Sequence, residues 1–508
     1  MLSRFNSLIA PRARIKSAKV FSQNAILRRL LHSVEYKNLV KQAPFKDPVN
    51  RKYVFLGVGS IAKPSLHYLD QFIDINYNNV YLVDQYDMRE KKSLKKVFDR
   101  GAHFIQQKLG DEDWEPLFKK LDLKPHDVVV DLTTDTNGLK IVEILRKMSV
   151  IYMNTAIEIN WHNVGTTLYD NSLQIRHDKL KEIFKKVHDP HNASHMIEFG
   201  MNPGLISHFV FQGLLDVAGH VLKKNPKDHK LAVLVANKQY NLIAKHLQLH
   251  TIHCSELDTQ VARNLKDDGT FINTWSVYGL LEEGLEPAQA GWGSHEKAVP
   301  ADGELIGKSQ IAFHTPAYKK YHLSYVPDQE IVGMVIPHGE AITLNEALKV
   351  DEYSPTVHYV YRICKQTKEM MDKMTFDELA GVKNWRVLNP YEDDMVGEDR
   401  VGALLIFPRN PITGENKPWS YWFGSILGQG SNEFFGPTNI QVTVGVLSAL
   451  KYLVMNNNLG PLYPEHIPTD FVLKNALPYM GRIVSSETKW NTPSTHFIDL
   501  SRTEYDTQ

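Results

Sequence analysis

A short apolar run that ends in a glycine turn and then becomes helical constrains this chain more than any other feature. Tyr53-Val-Phe-Leu-Gly-Val-Gly59 reads as a buried strand entering a turn, and Ser60-Ile-Ala62 completes the spacing Gly57-x-Gly59-x-x-Ala62. Pro64 follows in the first turn of a helix, where a missing N–H costs little, and Leu66, Leu69, Phe72 and Ile73 fall on one face of it. In such a strand–turn–helix unit the first glycine permits the tight turn and the second lets the backbone approach a pyrophosphate. The small third residue lets helix and strand pack closely, and the helix N-terminus supplies an anion site. Glycine-rich loops without this role are common, so the surrounding strands carry the argument. Asn79-Val-Tyr-Leu-Val-Asp84 is a second strand ending in an acid 22 residues past Ala62, where a ribose hydroxyl would be held, and Asp84 favours NAD over NADP. Apolar runs at Asp127–Leu132 and Val150–Asn154 continue the alternation expected of a parallel sheet wound by helices.

On this reading Gly57, Gly59, Ser60, Ile61 and Asp84 bind the cofactor, with Thr133, Thr134, Asn154 and Thr155 beyond the carboxyl ends of the later strands. Asp135 and Glu158 lie in the same loops and are candidates for the reacting centre, although each also suits a helix cap or a solvated loop.

The rest of the chain bounds the possibilities. Its 508 residues allow two to four domains, and 58 Lys+Arg balance 58 Asp+Glu, which disfavours nucleic-acid binding by bulk charge. Two cysteines, Cys254 and Cys364, exclude a disulfide framework and fit a reducing compartment. The apolar stretches Val401–Phe407 and Val442–Val454 are read as too short or interrupted to span a bilayer, so no membrane partner is expected. Arg4, Arg12, Arg14, Lys16, Lys19, Arg28 and Arg29 precede the first acid, Glu35. That leader reads either as a mitochondrial transit peptide or as a basic extension, giving a cytoplasmic location with the mitochondrial matrix as alternative.

Between Thr251 and Glu304 ten acids face three bases, interleaved with Trp275, Tyr278, Trp292 and several glycines. A solvated acidic loop has this composition, and so does a pocket for an organic cation. His250-Thr-Ile-His-Cys254 and His295-Glu-Lys-Ala298 lack the partners of a zinc set, so no metal is expected, and neither a nucleophile-elbow serine nor a phosphate-binding P-loop is present. Further on, Gly402–Phe407 reads as a strand, Pro408–Pro418 as a turn-rich loop, and Trp419, Trp422, Phe423, Phe434 and Phe435 as core or interface, with cofactor cover as the lesser reading.

Asn273-Thr-Trp-Ser-Val-Tyr-Gly279, Glu286-Pro-Ala-Gln-Ala-Gly-Trp-Gly293, Asn202-Pro-Gly204 and Ile336-Pro-His-Gly-Glu340 resemble the bacterial type of homospermidine synthase, from about residue 50 to the C-terminus. The resemblance implies an α/β fold: a Rossmann-type dinucleotide-binding domain, a second α/β (α+β) substrate and dimerisation domain, and a return of the chain to the first. The expected divisions are 1–45 (extension), 46–200 (NAD domain), 201–400 (second domain) and 401–508 (return).

It further implies a homodimer that uses NAD twice in one cycle. Putrescine is oxidised to an imine, a second putrescine or spermidine displaces ammonia, and the resulting Schiff base is reduced, with no net redox change. By similarity Glu256, Trp275, Glu283, Asp135, Glu158, Asn202 and His338 line the substrate site. The alternatives are a saccharopine- or carboxynorspermidine-type dehydrogenase, which would need an Arg or Lys near the indole motif, and a non-enzymatic NAD-binding paralogue.

Overall fold

The computed structural model describes residues 39–134, 136–158, 166–265, 268–307 and 309–505. The basic leader to residue 38 and the candidate Asp135 lie outside the described residues.

The first sheet starts from four wholly buried residues, Tyr53–Leu56 (β1), followed by the helix Ala62–Phe72 (α1). Leu66, Leu69 and Phe72 turn inward from α1, as the helical spacing requires. The chain continues through Val80–Asp84 (β2), His103–Gln106 (β3), Val128–Asp131 (β4), helix Gly138–Lys147 (α2), Ile151–Asn154 (β5), helix Leu173–Lys186 (α3) and His195–Met196 (β6). All pairings are parallel, in the order β3-β2-β1-β4-β5-β6. The inner strands are continuous apolar runs because helices cover both faces of such a sheet. This is the doubly wound order with its crevice where the chain reverses direction, beyond the carboxyl ends of β1 and β4.

After helix Leu205–Lys224 (α4) a mixed sheet begins with Thr251–Asp258 (β7), all eight residues of which are buried. Helix Val277–Leu285 (α5) precedes Pro287–Gly291 (β8), Gly303–Leu305 (β9), Gln310–Pro316 (β10), Tyr321–Val326 (β11) and Gln329–Ile336 (β12). Helix Glu340–Leu348 (α6), Thr356–Arg362 (β13), Glu398–Phe407 (β14) and Trp419–Gly428 (β15) follow. Strand β7 is the axis: β13 runs parallel to it on one side, pairing Tyr361 with Glu256, and β14 antiparallel on the other, pairing Val401 with Glu256. Strand alternation then puts Cys254, Glu256 and Asp258 on one face and His253 and Ser255 on the other.

The chain returns to the first domain later than residue 401. Strands β14 and β15 belong to the second sheet, because β14 pairs with β7 over eight residues, Asp399–Ile406, and with β15 over all ten of its own. The return is made by helix Pro437–Met455 (α7), which packs on α1, and by Pro461–Leu462 (β16), which adds to β6 in parallel. The chain then rejoins the second sheet through Arg482–Glu487 (β17), helix Phe497–Leu500 (α8) and Ser501–Arg502 (β18). Helices α4 and α7, at 20 and 19 residues, are long and apolar enough to cross a membrane, contrary to the shorter runs read from sequence. Both are mostly buried within the protein, which accounts for their composition.

The docking of α7 is tight at one point. A Cβ on Gly445 would lie 2.0 Å from the carbonyl oxygen of Gly200, a backbone atom with no freedom to move aside. Gly445→Ala is therefore expected to destabilise the chain by about 1–3 kcal/mol, the usual cost of overpacking a filled core, read as a lowered Tm. An unchanged Tm would show that α7 does not dock here.

Candidate functional site

One cavity of about 1100 Å³ runs from the glycine turn to the face of the second sheet that carries Glu256. At the turn, Gly57 has φ +74°, and a Cβ there would sit 2.7 Å from Leu132 O, so only glycine fits. A Cβ on Gly59 would meet no atom within 4 Å, which leaves the backbone open to a ligand's close approach. No side chain caps the first turn of α1, which leaves the helix N-terminus open toward an anion, although the Lys63 N–H turns back to Gly59 O at 3.3 Å and Pro64 carries no N–H. Asp84 on the wall accepts the Val58 N–H at 2.7 Å through one oxygen and the Tyr86 N–H at 2.8 Å through the other, fixing the carboxylate beside the turn. Ser60, Ile61, Thr133, Thr134 and Thr155 also line this half.

Asn154 does not line the cavity. It is buried, and its side-chain oxygen accepts the Glu198 N–H at 2.7 Å, so the last residue of β5 is spent on holding the next segment. Phe434 and Phe435 do line it, whereas Trp422 and Phe423 are core.

In the other half Glu256 accepts a hydrogen bond from the Tyr359 hydroxyl at 2.8 Å and from Asn202 Nδ2 at 3.2 Å. Burial pushes its carboxyl up to about 8, against the pull of those two bonds. Burial also raises Asp258, on the same strand face, to about 6, and Asp399, its partner across β14, well above the carboxylate range. Trp275 sits just before α5, whose N-cap Ser276 accepts the Gly279 N–H at 3.1 Å. The indole N–H donates to the Tyr361 hydroxyl at 3.0 Å, and Tyr361 stacks on Tyr359 with centroids 5.3 Å apart. A Cβ on Gly279 would lie 2.9 Å from the indole ring, which explains the glycine in that motif.

His338 is placed between two acids, Nε2 3.3 Å from Glu283 and Nδ1 3.5 Å from Glu340. Burial alone would lower its pKa, but the charges of Glu340 and Glu283 outweigh burial and hold it well above the usual histidine range. A second carboxylate group surrounds Arg176 of α3, which donates to Glu286 and to Ile157 O and stands 3.9 Å from Glu282. Burial raises Glu158 and Glu286 to about 7 each, and Glu282 well above its ordinary value. Glu198, held by Asn154, lines the cavity with its carboxylate 3.1 Å from His177.

The structure thus brings Glu158, Asn202, Glu256, Trp275, Glu283 and His338 to one cavity with the glycine turn. It adds Tyr359, Arg176, Glu198, Glu282 and Glu286, and Tyr361 behind the indole. The alternating Tyr359-Val-Tyr361 was a readable strand signal, while Arg176 and Glu198 carried no local signal. Six glutamates stand here against Arg176 and His338, and burial brings the titration of Glu158, Glu286 and Glu256 near neutrality.

Comparison with known proteins identifies the family. Residues 53–188 match the model of the saccharopine dehydrogenase NADP binding domain, and residues 200–485 that of the saccharopine dehydrogenase C-terminal domain. The chain is 26% identical over 486 residues to a homospermidine synthase of Mesorhizobium japonicum, covering 91% of this chain and 96% of that protein. It is 28% identical over 471 residues to that of Blastochloris viridis, covering 88% and 93%. The crystal structure of homospermidine synthase from Legionella pneumophila in complex with NAD superposes with a TM-score of 0.74 at 24% identity, covering 88% of this chain and 93% of that one. With a family model spanning more than half of its length, the chain belongs to the saccharopine dehydrogenase family.

Proposed function

We propose that this chain is a homospermidine synthase, an NAD-dependent aminobutyl transferase that joins two putrescines with loss of ammonia. The observation that carries this reading is the single cavity shared by the glycine turn, Asp84, Trp275 and the six glutamates around Arg176 and His338. The relatives of the same name, alignable over nearly their whole length, support it.

The residues present fit NAD: Gly59 leaves room for a pyrophosphate, the N-terminus of α1 is uncapped, and the Asp84 carboxylate suits a ribose diol and repels a 2′-phosphate. When bound, NAD supplies the hydride acceptor and later the donor. The protein's own task is to manage charge. Hydride does not leave a carbon beside an ammonium, so one amine must first lose a proton, and Glu256, raised to about 8 and fixed by Tyr359 and Asn202, is matched to take it. Glu283 beside charged His338, and the acids around Arg176, hold the remaining ammonium groups, and the Trp275 ring faces the transient cation. A homodimer, which the family resemblance implies, and a cytoplasmic location, with the mitochondrial matrix as the alternative given by the basic leader, complete this reading.

Besides Arg386, which is paired with Asp393, Arg176 lines the cavity with the indole and is a cation of the kind a saccharopine-type dehydrogenase needs for a substrate carboxylate. Here it is bound to Glu286 and Ile157 O and stands beside Glu282, which disfavours that reaction.

Incubation of the purified protein with putrescine and substoichiometric NAD is expected to yield homospermidine, detected by mass. Stoichiometric consumption of NAD(P)H with an oxo acid, or no product at all, would refute the assignment. Trp275→Phe weakens a cation–π attraction worth about 0.5–2 kcal/mol with the indole and is expected to slow turnover by at most about 30-fold with bound NAD retained. Equal loss of bound NAD in Trp275→Phe and Glu158→Gln would overturn the role given to the indole.

The raised carboxyls also fix a pH dependence. Glu158, Glu286 and Glu256 bind protons in the folded chain up to about 7, 7 and 8, against an ordinary 4.5. Their contribution to stability is complete below the unfolded value and is lost as pH rises through the folded ones. The buried histidines whose pKa burial lowers, His195, His208, His253, His322 and His358, act in the opposite sense below about 6.5, so the readout is a difference: the Tm of the NAD-free parent minus that of Glu256→Gln should fall between pH 4.5 and 8, and putrescine should restore stability most at the upper end. A slope identical in Glu256→Gln and the parent would exclude Glu256 as a source.

A further inference from the structure

Two histidines and a glutamate that the amine chemistry does not use meet at the far side of the second sheet. His295 and Glu296 lie in the connection after β8, and His496 immediately precedes α8, some 200 residues later in the chain. The candidate ligand atoms of all three fall within 4.8 Å of one another. His295 Nε2 is 3.3 Å from Glu296 Oε1, and His496 Nδ1 is 3.6 Å from Glu296 Oε2. A tetrahedral metal with bonds of about 2.0–2.1 Å sets its ligand atoms roughly 3.3–3.4 Å apart, and each histidine stands near that separation from one oxygen of Glu296, His295 from Oε1 and His496 from Oε2.

Two further observations favour an ion over a simple hydrogen-bond cluster. His496 Nδ1 is shielded from water and has no hydrogen-bond partner. The Glu296 carboxylate is oriented from outside the cluster, by the Thr356 hydroxyl at 2.7 Å and the Phe497 N–H at 3.2 Å, as the outer partners of a metal ligand do. His250 stacks on His295 at 4.2 Å and fixes its plane.

We propose that His295, Glu296 and His496 form a divalent-metal site, suited by its donor set to zinc, that ties the C-terminal segment to the second sheet. Two imidazoles and one carboxylate are a recurrent zinc set, with a fourth position left to water. Without metal, His295 Nε2 lies 2.9 Å from Thr495 O, a hydrogen bond that coordination exchanges for a bond to the ion. None of the three residues lines the cavity, so the site takes no part in the amine chemistry.

The test uses untagged full-length protein, dialysed against chelator and titrated with Zn²⁺ by calorimetry and with Co²⁺ by visible absorption. One saturable equivalent, tetrahedral Co²⁺ bands and a Zn²⁺-dependent rise in Tm are expected. His496→Asn should abolish the bands, and Thr356→Val should weaken Zn²⁺ binding about 10-fold through Glu296. Absence of stoichiometric binding or of the bands in the parent chain overturns the proposal whatever the variants do, and so does unchanged affinity in a folded His496→Asn. Homospermidine formation by the metal-free chain should match that of the loaded chain, so failure of this site and failure of the polyamine reading are distinguishable.

Discussion

The carboxyl of Glu256, buried at the centre of the larger sheet, is the constraint around which the site is built. Strand β7 is flanked on both sides, so water reaches Glu256 only through the cavity, and its ionised form depends on two donors, the Tyr359 hydroxyl and Asn202 Nδ2. An unpaired charge there would be costly. Tyr359 comes from β13 beside β7, and Asn202 from the turn that follows β6, so the acid is competent only when both domains are in place. A guest ammonium does for the ionised form what burial denies it, which links proton release to occupancy of the site.

Charge in the rest of the cavity follows the same logic. Arg176 and His338 are each set between carboxylates, so neither offers a free positive face to a ligand. What they do is allow several acids to stand close together without all taking up protons. Removing every cation from such a cluster would drive it neutral, and a neutral cluster has little hold on a diamine. The buried ion pairs are thus better understood as setting the charge of the wall than as adding stability, since desolvation offsets most of their attraction.

Local pattern made half of this legible. The glycine turn, Asp84 and the parallel strands follow from residue types in contiguous runs, and the indole motif stood out because acids, aromatics and glycines crowd one stretch. Arg176 and Glu198 did not stand out, because a single Arg or Glu on an amphipathic or connecting segment is ordinary until tertiary structure turns it inward. Asn154 shows the converse. Its place at the end of β5 fits a cofactor contact, yet its side chain holds the Glu198 backbone, a choice that depends on the neighbouring segment and on nothing in its own. The boundary of the C-terminal return was likewise hidden, since β14 reads as a strand without revealing which sheet it joins.

Helix α7 shows why the chain crosses between domains at all. Near its N-terminus Thr438 donates to Asp399 and Asn439 Nδ2 to Thr274 O at 3.0 Å, so it braces both the acid behind Glu256 and the residue before Trp275. One turn later the Thr443 hydroxyl reaches Ile61 O at 3.5 Å, at the start of α1, and Gly445 rests on Gly200, two residues before Asn202. A single rigid helix therefore gauges the separation of the glycine turn, the indole and the Asn202 side of Glu256. Hydride transfer between a nicotinamide and an amine-bearing carbon requires the two to be held in contact, and an effective molarity of that kind is lost with displacements of about 1 Å. Two domains joined by loops alone would not hold such a distance, whereas a helix with backbone or side-chain contacts to each does.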